Sequence, residues 1–345
     1  MNVLVLGAGG NVSQGIITAL KLSGFPCRII GACVSFDSLG LYFCDAAYIS
    51  PYANDAGFVE WVINLCNKEQ VDIVMTGVEE NILVLERERR KFETGTKAKF
   101  VSCDEKQLSI GANKLLTARW LEQNGCHFPL SAGINDEDEL RRMILKVGFP
   151  LIAKPNSGKG SHGIVLAHSM ADLTPLMGKD YCVQEYLGTE SEEYTIGCYA
   201  DHTGKMCEMI ILHRELKHGT TFMAEVVEND DIRKECMKIC SAFKPKGPLN
   251  IQLRLHNGKP VCFELNVRFS GTTPIRARFG YNDVAAMIEE YVNGGDPEKY
   301  LLPLCQGKVY RYYNEAYIDE AMQEVLKSNK EVQDCHRFYS FVEGK

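Results

Sequence analysis

The chain has 345 residues, of which 45% are hydrophobic and 24% are charged. At about 150 residues per domain, this length predicts two domains with conventional hydrophobic cores, and the composition excludes a disordered chain or a collagen-like repeat. The formal net charge of −7 argues against nucleic acid as a partner, because domains that bind phosphate backbones usually carry an excess of positive charge.

Strands and helices alternate over the first part of the chain. Short apolar or β-branched runs predict strands at 2–6, 28–33, 71–75 and 98–102. Apolar residues at helical spacing predict the intervening helices at 12–22, 58–66 and 81–92. Because strands that alternate with helices form parallel βαβ units, residues 1–105 are predicted to form a doubly wound, Rossmann-like α/β domain.

The pattern changes to an α+β type over residues 106–315, which we assign to a second domain. Helices are expected at 108–123, 135–147 and near 170–178. Strands are expected at 151–154, 164–167, 181–186, 193–200, 205–213, 249–255 and 260–265. Asn257-Gly258 predicts a tight hairpin between the last two strands. Residues 316–345 form a C-terminal extension to which the sequence assigns no role.

A glycine-rich turn at residues 7–10 follows the first strand and opens a helix. A dinucleotide-binding fingerprint requires a further glycine where this chain has Val12, and an acidic residue near the end of the second strand, where it has Cys33. These departures argue against a nicotinamide- or flavin-dependent enzyme. The turn is instead predicted to line one wall of a substrate cleft, because crevices at the carboxyl ends of strands collect ligands.

A second glycine-rich loop, residues 155–163, follows the strand that carries Lys154. Glycine allows close backbone approach and backbone N–H groups can hold phosphate oxygens, while the lysine adds a positive charge. The loop lacks the Walker A pattern and leads into a strand rather than a helix. It is predicted to bind phosphate, and an ordinary mobile hairpin is the alternative.

Oxygen-bearing side chains alternate near the end of the strand at 260–265. Glu264 and Asn266 point to one face because side chains in a strand have a period of two. Arg268 lies just beyond, and Gln252 in the adjacent strand can face the same point. Mg²⁺ prefers such hard oxygen ligands together with phosphates. The alternative for Glu264 is a solvent-facing strand carboxylate.

In this order, the motifs resemble those of the ATP-grasp superfamily, and most closely its carbamoyl-phosphate-synthase-like branch. The resemblance covers residues 1–315 and includes Lys114, the loop after Lys154, Glu193 and residues 264–268. It implies a pre-ATP-grasp domain followed by an ATP-grasp domain with a mobile lid, which would span about residues 118–185.

The resemblance also implies which residues bind ATP. Two lysines, Lys114 and Lys154, would contact its phosphates. The lid loop would cover the phosphates through Ser157, Gly158, Gly160, Ser161 and Gly163. The hinge would bind the adenine edge through Glu185, Tyr186 and Leu187, and the ribose hydroxyls would be held by Glu193.

For metal binding, the resemblance implies that Glu264 bridges two Mg²⁺ ions, or Mn²⁺ in their place, with Gln252 and Asn266 as further ligands. Arg268, together with Lys154, would stabilise the transferred phosphoryl group.

Two departures from the family pattern stand close to this metal-binding strand. The family often has a proline where this chain has Val267, and the synthase branch has a second arginine where this chain has Gly271. The absence of that arginine argues against a carboxyphosphate-type substrate.

The activity implied is that of an ATP-dependent carboxylate–amine ligase, which forms an amide through an acyl phosphate and releases ADP and phosphate. Its partners would be a small-molecule carboxylate and an amine. Arg276 or Arg278 is the candidate to bind the carboxylate, and Glu79 or Glu80 the amine, with plain surface charges as the alternative.

A small-molecule kinase, half of a carbamoyl-phosphate-synthase-like assembly and a non-catalytic nucleotide-binding protein stay open. A homodimer is expected from the resemblance alone.

The 14 cysteines are scattered and include no C-x-x-C pair, which argues against structural zinc and against a secreted disulfide scaffold. They are predicted to be reduced thiols in a cytoplasmic protein. No apolar run approaches the roughly 18 residues that a membrane-spanning helix needs, and residues 1–6 lack the positive region of a signal peptide. No membrane partner is therefore expected.

Overall fold

The computed structural model describes residues 1–158, 163–188, 190–313, 315–335 and 339–341. Within these ranges the chain forms two six-stranded sheets, one four-stranded sheet and one two-stranded sheet. The predicted mixture of α/β and α+β architecture is confirmed. No helix in the described ranges is long and apolar enough to cross a membrane.

The first domain contains a parallel sheet between helices. Its strands are β1 (Asn2–Leu6), β2 (Arg28–Cys33), β3 (Ala46–Ile49), β4 (Ile73–Thr76) and β5 (Lys99–Phe100). Its helices are α1 (Asn11–Leu22), α2 (Phe58–Glu69), α3 (Glu79–Arg87) and α4 (Arg89–Gly95). The strand order β3-β2-β1-β4-β5 is parallel throughout, as the βαβ alternation predicted. The short strand β3 was not predicted, and the predicted helix at 81–92 is broken at Glu88.

The next segment forms a smaller antiparallel sheet with the order β6-β9-β7-β8. Its strands are β6 (Ser131–Gly133), β7 (Leu151–Pro155), β8 (Val165–Ala167) and β9 (Tyr181–Glu185). The helices before and within it are α5 (Glu105–Ala112), α6 (Lys114–Gln123), α7 (Glu137–Val147) and α8 (Met170–Leu173). The single helix predicted at 108–123 is wrong, because extended Asn113 interrupts it and caps α6 by accepting a hydrogen bond from the Leu116 N–H.

A second large sheet, antiparallel and ordered β14-β13-β10-β11-β12-β15, forms the body of the second half. Its strands are β10 (Glu193–Ala200), β11 (Met206–Lys217), β12 (Thr220–Val226), β13 (Gly247–His256), β14 (Lys259–Asn266) and β15 (Gly307–Tyr310). Its helices are α9 (Asp230–Phe243), α10 (Thr273–Arg278) and α11 (Asp283–Ile288). The Asn257-Gly258 hairpin is confirmed, with φ of 52° and 74° at its two central residues.

Short helical turns of other types occur between these elements. Their bounds are Leu39–Phe43, Thr174–Leu176, Glu190–Glu192 and Pro297–Tyr300 for the 3₁₀ turns and Glu289–Asn293 for the π turn.

The C-terminal extension returns to the first domain. It contains β16 (Ala316–Ile318), α12 (Glu320–Asn329), β17 (Glu331–Gln333) and β18 (Tyr339–Phe341). Strand β17 pairs antiparallel with β3, which makes it the sixth strand of the first sheet, while β16 pairs with β18. Leu326 of α12 is fully buried in the same core as Val3 and Val5 of β1. The first sheet is therefore completed by residues almost 300 positions away in the sequence.

The two large sheets share their hydrophobic cores. One cluster joins Leu4 and Ile30 of the first sheet to Ile196 and Ile251 of the second. The smaller sheet has a separate core around Leu140, Leu151 and Val183. The first domain and the large antiparallel sheet thus pack as neighbours, and the smaller sheet stands as a separately packed layer.

Candidate functional site

Two cavities meet at Gln252 of β13 and Glu264 of β14. The first, about 380 Å³, lies between the smaller sheet and the large antiparallel sheet, and we call it the inner cleft. The second, about 440 Å³, lies between the large sheet and the glycine turn of the first domain, and we call it the outer cavity. Residues that line both are Lys114, Gly158, Arg214, Gly219, Gln252 and Glu264.

Strand β7 brings Lys154 into the inner cleft. Its ammonium nitrogen lies 4.9 Å from the centroid of the Phe263 ring on β14. Burial lowers the pKa of Lys154, and the nearby carboxylate of Glu264 opposes this shift. Lys114, the first residue of α6, donates from Nζ to the carbonyl of Gly158 at 3.3 Å. Two lysines therefore enter the cleft from different elements, as the sequence predicted.

The segment after β9 forms the opposite wall of the inner cleft. Glu185, Tyr186 and Leu187 all line it. A carboxylate oxygen of Glu185 accepts from the backbone N–H of Leu130 at 3.3 Å, and the other lies 3.7 Å from Nε2 of His256. Apolar side chains also line the cleft, namely Ile152, Ile164, Leu187, Leu216 and Phe263.

Glu193 forms two buried ion pairs that the sequence did not reveal. Its Oε1 accepts from Arg214 Nη2 at 2.6 Å and its Oε2 from Arg254 Nη2 at 2.7 Å, and Nε of each arginine adds a second bond at 3.1 Å. Burial would raise the pKa of Glu193, but the two guanidinium groups outweigh it and hold the pKa below its ordinary value. In this conformation, all four acceptor positions of the carboxylate are used. The predicted role in ribose binding would require one of the arginines to move.

A chain of polar contacts runs from Glu264 to the first domain. Asn266 donates from Nδ2 to Glu264 Oε1 at 3.1 Å, and its Oδ1 accepts from Arg268 Nη2 at 3.1 Å. Arg268 pairs with Glu79 of α3 at 2.7 Å. The structure thus brings Glu264, Asn266 and Arg268 together as predicted. Glu79, which was considered for binding an amine, contacts the arginine.

The donor set at the junction suits Mg²⁺ held partly by phosphates better than an all-protein metal cage. In the described part of the chain, no three His, Cys, Asp or Glu side chains group to hold a metal ion. Glu264 offers one carboxylate, and Mg²⁺ commonly takes one or two carboxylates plus waters and substrate phosphates. The amide oxygens of Asn266 and Gln252 accept bonds from Arg268 and Arg214. Each oxygen has a second lone pair with which it could coordinate a metal.

The outer cavity is lined by the first glycine turn and by hydroxyl and amide groups. Gly7 has a φ of 64°, and a Cβ there would lie 2.4 Å from Val78, so glycine is required at this turn. Gly10 and Asn11, at the start of α1, line the cavity, as the sequence predicted for this turn. Buried polar side chains facing it are Thr195, Thr221, Asn250, Ser270 and Thr272.

Several other candidates lie elsewhere. Arg276 is fully buried, lies 3.3 Å from Asp283, and lines neither cavity, so it does not bind a substrate carboxylate. Arg278 is exposed and also lines neither cavity. Ser157 and Gly163 are near the cleft but do not line it. Gly160 and Ser161 lie outside the described residues.

The fold is shared with solved ATP-grasp enzymes. Staphylococcus aureus N5-carboxyaminoimidazole synthetase complexed with ADP superposes with a TM-score of 0.69 at 14% identity, covering 95% of this chain and 85% of that one. Anaerococcus prevotii phosphoribosylglycinamide synthetase gives 0.65 at 18% identity, covering 92% and 82%. The Hydrogenobacter thermophilus biotin carboxylase domain, a dimer with MgADP, ADP and bicarbonate, gives 0.65 at 13%, covering 91% and 73%. The chain therefore shares the fold of these enzymes.

Sequence comparisons match two family models and several relatives. Residues 178–313 match the family described as ATP-grasp in the biosynthetic pathway with Ter operon, and residues 3–98 match the PylC-like N-terminal domain. The carbamoyl phosphate synthase large chain of Methanosarcina barkeri (strain Fusaro / DSM 804) is 22% identical over 307 residues, which is 79% of this chain and 28% of that protein. The large chain of Caldanaerobacter subterraneus subsp. tengcongensis is 22% identical over 304 residues, 80% and 27%.

The chain is thus similar in sequence to ATP-grasp proteins of the carbamoyl-phosphate-synthase-like type. It spans little more than a quarter of the length of the curated relatives that it matches.

Proposed function

We propose that this protein is an ATP-dependent carboxylate–amine ligase that forms an amide through an acyl phosphate. The observation that carries the proposal is the junction of the two cavities at Glu264, with Lys114 lining both sides and Arg268 on the outer side. A nucleotide in the inner cleft would place its terminal phosphate at the mouth of a separate cavity of about 440 Å³. That arrangement suits phosphoryl transfer to a second molecule.

A carboxylate is a poor acyl donor towards an amine because it has no good leaving group, and phosphorylation supplies one. One carboxylate oxygen attacks the γ-phosphorus of ATP, the bond from that phosphorus to the β–γ bridging oxygen breaks, and ADP leaves. The amine nitrogen then attacks the acyl carbon, phosphate leaves with its bridging oxygen, and the amine proton passes to solvent. The protein needs to position the groups and neutralise charge, and Lys154 and Arg268 have the charge and placement for this.

Within this proposal, the apolar part of the inner cleft binds adenine beside the backbone of Tyr186 and Leu187, with Glu185 at its edge. Lys114 and Lys154 bind phosphates, and the loop with Ser157, Gly158, Gly160, Ser161 and Gly163 covers them. Glu193 is assigned to the ribose on the family resemblance. Support for the adenine position is the apolar lining of the cleft next to two lysines.

Glu264 would hold Mg²⁺, two ions in the family pattern, with Asn266 and Gln252 as further ligands through the second lone pair of each amide oxygen. When bound, Mg²⁺ neutralises phosphate charge during the transfer. A homodimer is proposed from the dimeric biotin carboxylase domain, and a cytoplasmic location from the 14 cysteines, all free thiols. Neither nucleic acid nor a membrane is proposed as a partner.

Trapping of the activated acid tests the reaction class. ADP release should need both a carboxylate and an amine for full rate, and hydroxylamine in place of the amine should give a hydroxamate, because it intercepts acyl phosphates. A stable phosphorylated product with no hydroxamate would indicate a kinase. AMP and pyrophosphate would indicate an adenylate and contradict the proposal.

A further inference from the structure

An arginine that belongs to none of the sequence motifs lines the outer cavity. Arg311 follows β15, and its backbone N–H donates to the carbonyl of Phe222 on β12 at 2.8 Å, which continues the strand pairing. Its side chain lines the outer cavity but not the inner cleft. The guanidinium group donates from Nη2 to the backbone carbonyl of Gly271.

Arg311 differs from the other arginines of the outer cavity in its partners. Arg268 is paired with Glu79, and Arg214 with Glu193. Among the described residues, no carboxylate forms an ion pair with Arg311, whose contact is with a backbone carbonyl. Burial lowers the pKa of Arg311, with no neighbouring anion to oppose it. A partly buried guanidinium group with no anion facing it is costly unless a ligand supplies the charge.

The position of this contact is informative. The guanidinium group of Arg311 reaches the backbone of Gly271, in the turn after β14, from another strand. It enters from the edge strand, beside Asn11 at the start of α1, whose amide nitrogen would lie 2.9 Å from a Cβ at Gly271.

The outer cavity is also too large for a small inorganic anion alone. Its volume is about 440 Å³, whereas one water occupies about 30 Å³ in the liquid, and pockets for organic ligands begin near 300 Å³. The reacting carboxylate belongs near Glu264 and Arg268, because phosphoryl transfer takes place at the junction with the inner cleft. Arg268 is joined to Glu264 through Asn266, whereas Arg311 contacts the carbonyl of Gly271 instead.

We propose that Arg311 binds a carboxylate of the substrate that is not consumed in the reaction, so that one substrate is either a dicarboxylic acid or an amino acid that acts as the amine. The outer cavity then holds an organic molecule by two ends, the reacting group beside Arg268 and the spectator carboxylate beside Arg311. Asn11, Thr221 and Thr272 provide neutral polar groups around it. This inference rests on the proposed ligase function and adds the substrate class.

Matched substrates, with and without the spectator carboxylate, test the proposal. The measurement is the rate of ADP release in the presence of MgATP. Glutarate is compared with its monoamide as the acid, and alanine with alaninamide as the amine. We expect ADP release to depend on the spectator carboxylate in one of these two pairs. That pair shows whether the acid or the amine carries the spectator carboxylate. Equal rates with and without that carboxylate in both pairs would overturn the proposal and leave the ligase function intact.

Variants at position 311 test the residue itself. For the preferred substrate, Arg311→Gln should raise KM on the order of ten- to a hundredfold, the range for losing a hydrogen bond to a charged group, with kcat changed far less. Arg311→Lys should recover part of this loss because it keeps the charge. Arg278→Gln, which removes an exposed arginine from the same half of the chain, should leave KM unchanged.

A binding measurement separates this proposal from the ligase reaction. With a non-hydrolysable ATP analogue and Mg²⁺ present, glutarate or alanine should raise the melting temperature of the wild type. Arg311→Gln should lose that additional rise while it keeps the rise caused by the nucleotide. If no substrate pair releases ADP but this pattern holds, the ligase function fails and the carboxylate site stands. If neither carboxylate raises the melting temperature of the wild type, or the variant responds as the wild type does, the site is wrong.

Discussion

Replacement of Glu193 by Gln tests what this buried carboxylate does. The change keeps the size of the side chain and one acceptor oxygen but removes the charge that faces Arg214 and Arg254. The side chains of all three residues are at least 85% buried, with 4% of Glu193, 9% of Arg214 and 15% of Arg254 exposed. Two guanidinium groups would then lie in the protein interior without an anion.

The expected cost is large because the charges that remain have been removed from water. Breaking a buried ion pair by removal of one partner typically costs about 3–5 kcal/mol in the free energy of unfolding. Each kcal/mol shifts the melting temperature by roughly 2–4 °C in domains of 150–250 residues. In this longer chain we therefore expect Glu193→Gln to melt about 5–10 °C below the wild type, at pH 7 and without ligands.

The pH dependence gives an independent signature. The two arginines hold the pKa of Glu193 below its ordinary value despite burial. A depressed pKa stabilises the folded state fully above the unfolded-state pKa, which is about 4.3 for Glu, and this stabilisation is lost as the pH falls through the lower folded-state pKa. The difference in melting temperature between wild type and variant should be constant from pH 7 to about pH 5, and should shrink below that.

The matched control is Glu192→Gln, which makes the same change at the adjacent exposed residue and should melt within about 1–2 °C of the wild type. Differential scanning calorimetry of the ligand-free proteins measures both variants. A Glu193→Gln protein that melts as the wild type does would refute the structural role of the two ion pairs. The KM for ATP is measured separately, and a raised KM would support the ribose contact proposed above.

Three further predictions concern the junction and the C-terminal extension. Glu264→Gln should lower ADP release at least about a hundredfold, the scale for loss of transition-state charge stabilisation, with an unchanged melting temperature. Lys154→Met should reduce both ATP affinity and turnover about a hundredfold, the same scale as Glu264→Gln. The fold should not be destabilised, because the methionine can pack on the same ring of Phe263. Retained ADP release would show that Lys154 does not contact phosphate. Leu326→Ala should cost about 2–5 kcal/mol in thermal unfolding because it leaves a cavity, whereas Val325→Ala, at a site 42% exposed, should cost less than about 0.5 kcal/mol.

Local patterns predicted the elements whose signals lie within a few residues. Strands β1, β2 and β10 begin and end at the predicted residues, because each is an apolar run bounded by turn residues. Helix α9 was missed although its signal is present: Asn229 caps it, and Ile232, Cys236 and Ile239 are buried at helical spacing. Strand β3 has no such signal, since four residues are too few to show a period.

The same distinction between local and distant signals applies to the candidate site. Lys154, Glu264 and Asn266 were found from the sequence because each belongs to a motif of consecutive residues. Arg214 and Arg311 were missed because their roles come from strand pairing in the large sheet. Arg214 reaches Glu193 across adjacent strands, 21 residues away in the sequence, and Arg311 reaches Gly271, 40 residues away. A lone arginine in a strand gives no indication of a distant partner.

The C-terminal extension explains how the outer cavity keeps its shape. The cavity is lined by the first domain on one side and by the large sheet on the other, so its geometry depends on how firmly these two parts are joined. After β15 the chain crosses back, packs α12 on the first domain and adds β17 to the open edge of its sheet, where Arg28 also donates to Gln333 at 2.6 Å. An uncovered sheet edge would expose unpaired backbone groups. Because β15 positions Arg311 and β17 completes the first sheet, the chain from β15 to β17 would carry the proposed substrate contact and also hold the opposite wall in place.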